Sequence, residues 1–153
     1  MAIDDIRHLL TPRHAISTDD YTTFFRSLGS RFLIGGDWKA KHTAWGARLT
    51  SPKGRNLLNA ICSYNCHHFN TGGSTYWPTD LTKLPDLLDF LVARGIPANY
   101  IQVEPVFELA SDHTPVIVTI GASATNKTAT PTFFNFFFIF NLSPCMLIQY
   151  TFI

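Results

Sequence analysis

Residues 85–92 read PDLLDFLV, and Asp89 stands inside a run apolar enough to be a buried strand. A carboxylate taken out of water without a partner is costly. Any fold that buries this run must therefore bring a partner to Asp89, and no other feature of the chain constrains it as strongly. Other acids cluster where apolar runs end: Asp37 after FLIGG, Asp86 at the head of the same run, and Asp112-His113 in ELASDHTPVIV. Ends of strands are where α/β proteins assemble sites, because loops converge there while the sheet stays rigid. An aspartate beside a histidine offers an acceptor and a titratable base, and a further carboxylate could hold the imidazole in one tautomer. Two carboxylates meeting on a loop could also bind Mg²⁺, a cation that prefers hard oxygen ligands. The plainer reading is that an aspartate in a Gly-Gly-Asp turn only accepts hydrogen bonds from its own backbone.

The runs around these acids predict alternating helices and strands. Ser17-Thr18-Asp19-Asp20 places a hydroxyl cap and acids where a helix begins, Tyr21, Phe24, Phe25 and Leu28 follow at helical spacing, and Gly29 is the expected stop. Residues 31–35 form a short strand. A second helix starts at Ser51-Pro52 and carries Leu57, Leu58 and Ile61 on one stripe, with Gly54 weakening its first turn. Further strands are expected at 67–69, at 87–92, at 100–109 with a bend at Pro105, and at 114–120. Strands interleaved with helices predict an α/β fold.

The chain has 153 residues, one domain's worth, and its 12 basic and 11 acidic side chains leave a net charge of +1. Nothing in this balance suggests a polybasic nucleic-acid surface, so any attraction to phosphate has to be local. Three cysteines make no even disulfide framework and favour a reducing compartment. The first 30 residues lack the apolar core of a signal peptide. These averages conceal a break near Gly121: beyond it the sole charge is Lys127, and seven of the 13 phenylalanines lie there, most in TFFNFFFIF. Residues 1–121 are therefore read as the domain and 122–153 as a Phe-rich tail outside it. The tail is long enough to span a bilayer, but Asn135, Asn141, Pro144 and Gln149 and the lack of a basic anchor argue against a membrane. A packed β element and the translation of a T-rich noncoding tract are the other two readings.

Taken in order, GGDWKAKHTAWGAR, STYWP, PDLLDFLVARGI and SDHTPVIV resemble the endonuclease domain of jockey-type non-LTR retrotransposons, a member of the endonuclease/exonuclease/phosphatase superfamily. The similarity runs from Thr11-Pro12-Arg13-His14 to the region of Ile120. It implies the C-terminal part of a two-sheet α/β sandwich that hydrolyses phosphodiester bonds of DNA with Mg²⁺ and needs no small-molecule cofactor. It further implies an intracellular protein, nuclear if it acts as the family does. By motif, Asp37 matches the aspartate that orients or activates the attacking water. Asp89, in preference to Asp86, matches the partner of the catalytic histidine. His113 matches that histidine, Asp112 the acid beside the metal, and Ser111 completes the triplet. His42 and Trp45 are expected to line a DNA-facing loop, with packing as the alternative for Trp45.

Two departures from the family pattern are expected to cost activity. Lys39 stands where the family's GDxN element has asparagine, exchanging an amide that both donates and accepts for a flexible cation. Two residues apart on a strand, Lys39 and Asp37 should share a face, so that Lys39 pairs with Asp37 or grips phosphate. Nothing in residues 1–30 matches the family's metal-binding glutamate or early asparagine, so the chain alone is expected to nick little or not at all, or to be a non-catalytic remnant or binding module. Cys62, Cys66, His67 and His68 make only half of a zinc pattern, and Cys62 is expected to pack beside the helix stripe.

Overall fold

The computed structural model describes residues 15–107, 111–122, 135–139 and 146–152. Helix α1, Thr18–Ser27, opens on a reciprocal cap: the Asp20 amide donates to the Ser17 hydroxyl at 3.2 Å, and the Ser17 amide donates to the Asp20 carboxylate at 2.9 Å. It buries Tyr21, Phe24 and Phe25, and Gly29 (φ 91°) turns the chain out of the helix. Helix α2, Pro52–Ser63, is capped by Ser51, whose hydroxyl accepts the Gly54 amide at 3.0 Å, and buries Leu57, Ala60 and Ile61.

One sheet has the order β2–β3–β1–β6, with β1 Phe32–Asp37, β2 His67–Phe69, β3 Asp89–Arg94 and β6 Asn135–Ile139. β1, β2 and β3 are antiparallel neighbours, and β6 runs parallel to β1. The second sheet is β4 (Ile101–Pro105), β5 (Val116–Ala122) and β7 (Met146–Phe152), with β4 antiparallel and β7 parallel to β5. Strands β6 and β7 both come from the Phe-rich segment and satisfy backbone groups along β1 and β5 that would otherwise lie on open edges.

Side-chain alternation explains why β1 and β3 read as unbroken apolar runs: both of their faces are covered. Phe32, Ile34, Phe90 and Val92 pack against the helices with Phe25, Trp38, Trp45 and Leu57. Leu33, Leu91 and Ala93 face the other way, into a cluster with Ile101, Val116, Val118 and Ile120 of the second sheet. The result is helices on one sheet and that sheet on another, the two-sheet α/β sandwich.

Differences from the expected elements are local. The strand expected from residue 87 begins at Asp89, and the strand expected over 100–109 ends at Pro105, with 106–107 outside any strand and 108–109 outside the described residues. Cys62 is exposed and Cys66 buried, the reverse of the packing expected for Cys62. No helix among the described residues is long and apolar enough to cross a membrane. Gly54 is a close-approach residue: a Cβ there would stand 1.8 Å from the Lys41 carbonyl oxygen. In an ordinary helix Gly→Ala stabilises by about 1 kcal/mol. Here Gly54→Ala is expected to destabilise by about 1–3 kcal/mol through overpacking. Urea denaturation reads the sign, and a stabilised variant would show that α2 and the Lys41 loop do not touch as described.

Candidate functional site

The register of β1 on β3 places Asp37 directly opposite Asp89. Like charges across a strand pair repel, so the site begins as an electrostatic conflict. His113 resolves one side of it. Its Nδ1 lies 2.7 Å from Asp89 Oδ2, in a contact where the histidine side chain is 11% and the aspartate side chain 7% exposed. The hydrogen bond to Asp89 raises the His113 pKa; burial opposes it, and the charges of Asp89, Asp37 and Asp112 add to the rise. The surroundings thus favour the protonated ring more than water does.

Asp37 is held differently. Its Oδ1 accepts the Lys39 amide at 2.9 Å. Burial raises its pKa, the Lys39 amide lowers it, and Asp89 raises it further, with the charges of His113 and Lys39 acting downward; the net effect is upward. Asp86, the alternative to Asp89, has a structural post. It pairs with Lys41 Nζ at 2.8 Å and accepts the amides of Arg48 and Leu87, each at 3.0 Å. Burial pushes its pKa up, but Lys41 and these amides outweigh it, so the carboxyl lies below its ordinary range.

The remaining expected residues are only partly drawn together. Lys39 does not share a strand face with Asp37: β1 ends at Asp37, and Lys39 takes a left-handed backbone (φ 47°) with its side chain exposed. Among the described residues no ion pair joins its ammonium to Asp37; the link is through the backbone amide. Asparagine tolerates that backbone better than lysine does, which gives the position a conformational reason to prefer it. Trp45 is a core residue, 1% exposed, stacked 4.8 Å from Phe90 with its Nε1–H donated to the Ala40 carbonyl. Half-buried His42 lies against the Trp45 ring and accepts the Ala44 amide on Nδ1 at 2.9 Å. Ser111 and Asp112 are exposed on the turn before His113, and the Ser111 hydroxyl accepts the His113 amide at 3.2 Å.

Sequence reasoning missed the brace that joins the two halves of the site. Thr75 is fully buried, and its hydroxyl accepts the amides of Leu88 (3.0 Å) and Asp89 (2.9 Å) while its carbonyl accepts the Thr114 amide (2.7 Å). The Trp77 amide donates to the Asp112 carbonyl at 2.7 Å and its Nε1–H to the Thr114 hydroxyl at 2.9 Å, yet Trp77 is 48% exposed. Lys53, half-buried on the first turn of α2, was missed too. Burial lowers its pKa, while the charge of Asp37 acts upward and that of Lys39 downward. An exposed-aromatic signal for Trp77 existed in STYWP, but nothing local marked Thr75 or Lys53.

A divalent cation finds no complete donor set here. Among the described residues no three His, Cys, Asp or Glu side chains converge closely enough to hold a metal. Asp37 and Asp89 each commit an oxygen, to the Lys39 amide and to His113.

The sign of the Asp37 shift makes a prediction. A carboxyl whose folded pKa is raised costs stability once ionised: the cost is absent below the unfolded pKa and complete above the folded one. Asp37→Asn keeps an oxygen for the Lys39 amide and removes the charge. It is expected to raise the melting temperature at neutral pH by roughly 2–4 °C, the response to about 1 kcal/mol in a domain of this size. The gain should shrink as pH falls through the carboxylate range. A lowered melting temperature at pH 7 would show that Asp37 is better satisfied than its surroundings indicate.

The family described as endonuclease-reverse transcriptase matches residues 7–117. The chain is 34% identical over 121 residues to a probable RNA-directed DNA polymerase from transposon BS of Drosophila melanogaster, a match covering 79% of the chain and 13% of that protein. It is 32% identical over 113 residues to the corresponding X-element protein of the same organism, covering 74% of the chain and 12% of that protein. It is 31% identical over 118 residues to the RNA-directed DNA polymerase from mobile element jockey, again covering 13% of the relative. The chain thus spans about an eighth of the length of these proteins. In structure it resembles the endonuclease domain of TRAS1, a telomere-specific non-LTR retrotransposon, with a TM-score of 0.55 at 22% identity, covering 63% of this chain and 47% of that one.

Proposed function

The chain belongs to the endonuclease-reverse transcriptase family, and on that premise we propose that Asp37, Asp89 and His113 are the phosphodiester-hydrolysing cluster of an endonuclease domain acting on DNA. The observation that carries the proposal is the 2.7 Å contact of His113 with Asp89, set beside Asp37 by the β1–β3 register. In this reading Asp37 orients the attacking water. Imidazolium at 113 faces the scissile phosphate and neutralises charge growing on it, and Asp89 keeps that ring oriented and charged. In a longer protein the nick would supply the primer end for reverse transcription.

We further propose that this chain alone cleaves little or not at all. Lys39 brings a donor-only side chain to a position where the motif has an amide, and its left-handed backbone turns that side chain out to solvent. No step is assigned to magnesium, for which the described residues offer an incomplete donor set. Incubation of supercoiled plasmid with the purified chain and Mg²⁺ is expected to leave it uncut. Nicking that His113→Ala abolishes would overturn the inactivity and strengthen the site assignment; nicking that survives His113→Ala would overturn the assignment itself.

A second reading, DNA binding without cleavage, is favoured by one observation: the half-exposed Trp77 indole is pinned beside the Ser111–His113 turn by its bonds to Asp112 and Thr114. A stacked aromatic contributes about 1–3 kcal/mol per base. Trp77→Ala is therefore expected to weaken binding of a fluorescent oligonucleotide about tenfold, and affinity should fall with rising salt. Equal affinity of Trp77→Ala and the parent chain would remove Trp77 from the interface.

A further inference from the structure

The acidic cluster occupies one end of the β1–β3 pair, and the other end is basic. The register that sets Asp37 opposite Asp89 also sets Phe32 opposite Arg94, roughly 17 Å away at the usual rise of a strand. Arg31 stands immediately before β1, and the turn after β3 touches it: a Cβ on Gly95 (φ 69°) would lie 2.7 Å from the Arg31 Cγ. Arg26, exposed in the last turn of α1, comes to the same end, because only residues 28–31 separate that helix from β1. The Arg94 guanidinium lies over the Tyr64 ring, its Cζ 4.0 Å from the centroid. That ring ends a column that starts in the core: Phe32 stacks on Phe25 at 5.8 Å and 22°, and Phe25 on Tyr64 at 6.5 Å and 18°.

We propose that Arg94 is the centre of a second nucleic-acid contact, a phosphate-binding surface for a single-stranded segment at the end of the sheet remote from His113. Stacking on an aromatic ring fixes the plane of a guanidinium and spends none of its N–H donors. Among the described residues no carboxylate pairs with Arg94 to take those donors. A fork held flat and unspent fits a phosphate, which it can grip through two oxygens. Its flat face also suits an unstacked base, which single strands offer and duplexes do not. Charge is arranged to match. Asp37, Asp86, Asp89 and Asp112 gather at the opposite end, so the carboxylates of the cluster lie away from this surface. A surface so placed holds a strand other than the one presented to His113. That the anion is a nucleic acid rests on the function proposed above, whereas the anion site itself rests on the Arg94 geometry.

The experiment is fluorescence anisotropy of a labelled oligothymidylate with the full chain over a range of salt. Arg94→Gln is expected to weaken binding about fivefold. It should also flatten the salt dependence by about 0.7 in log–log slope, the share of one phosphate on a single strand. A measurement on the parent chain covers the case in which Arg94→Gln folds poorly. Bound oligothymidylate is expected to slow phenylglyoxal modification of Arg94 several-fold, read by peptide mass spectrometry. Parental affinity and slope in Arg94→Gln, or an Arg94 modified equally fast with and without the oligonucleotide, would overturn the proposal and leave the Asp37, Asp89 and His113 assignment standing. A parent chain that binds no oligothymidylate would overturn both this surface and the DNA-binding reading.

Discussion

The contact between His113 and Asp89 is the interaction on which the rest of the site depends. Asp89 begins a strand covered on both faces, so its carboxylate is largely removed from water and must be satisfied internally. His113 arrives from a different sheet region 24 residues later. Thr75 makes that meeting reproducible, because one buried hydroxyl and one carbonyl hold the Asp89 strand and the Thr114 backbone together. Removing either partner of such a pair leaves a buried charge uncompensated, which is why the pair and the Thr75 brace form a single unit.

Three aspartates within one small region show how environment separates roles. Asp86 is satisfied by Lys41 and two amides and ties the Lys41 loop to the chain before β3. Asp89 is satisfied by an imidazole. Asp37 has one amide and faces another carboxylate across the sheet. Its raised pKa is the mark of a group held in an unfavourable place, and such groups concentrate at functional sites. Lys39 and Lys53 act electrostatically on the same region, and they distinguish this cluster from a purely acidic pair.

Much of the fold was legible because its signals are local. Ser17 and Ser51 announced the helices, Gly29 the end of the first, and the apolar runs the strands. Asp89 was legible as an anomaly, a carboxylate in an otherwise buried run. What escaped was decided by contacts distant in sequence. Trp45 and Trp77 both sit in polar surroundings in the sequence; packing against Phe90 sends the first inward, and bonds to Asp112 and Thr114 hold the second at the surface. Thr75 looked like any loop threonine, since its partners are 13 to 39 residues away. Gly54 read as a flaw in a helix because the Lys41 carbonyl that requires it cannot be seen from the helix alone. Lys39 was placed on a strand face because the end of β1 at Asp37 is set by the sheet, not by the residues around it.

The central claim is that a buried Asp89 raises the proton affinity of His113. Its most direct measurement compares the His113 titration midpoint in the parent chain with that in Asp89→Asn. The account predicts a parent midpoint above the ordinary histidine value of about 6.5, falling clearly when the carboxylate becomes an amide. A parent midpoint at or below the ordinary value, unmoved by Asp89→Asn, would contradict it.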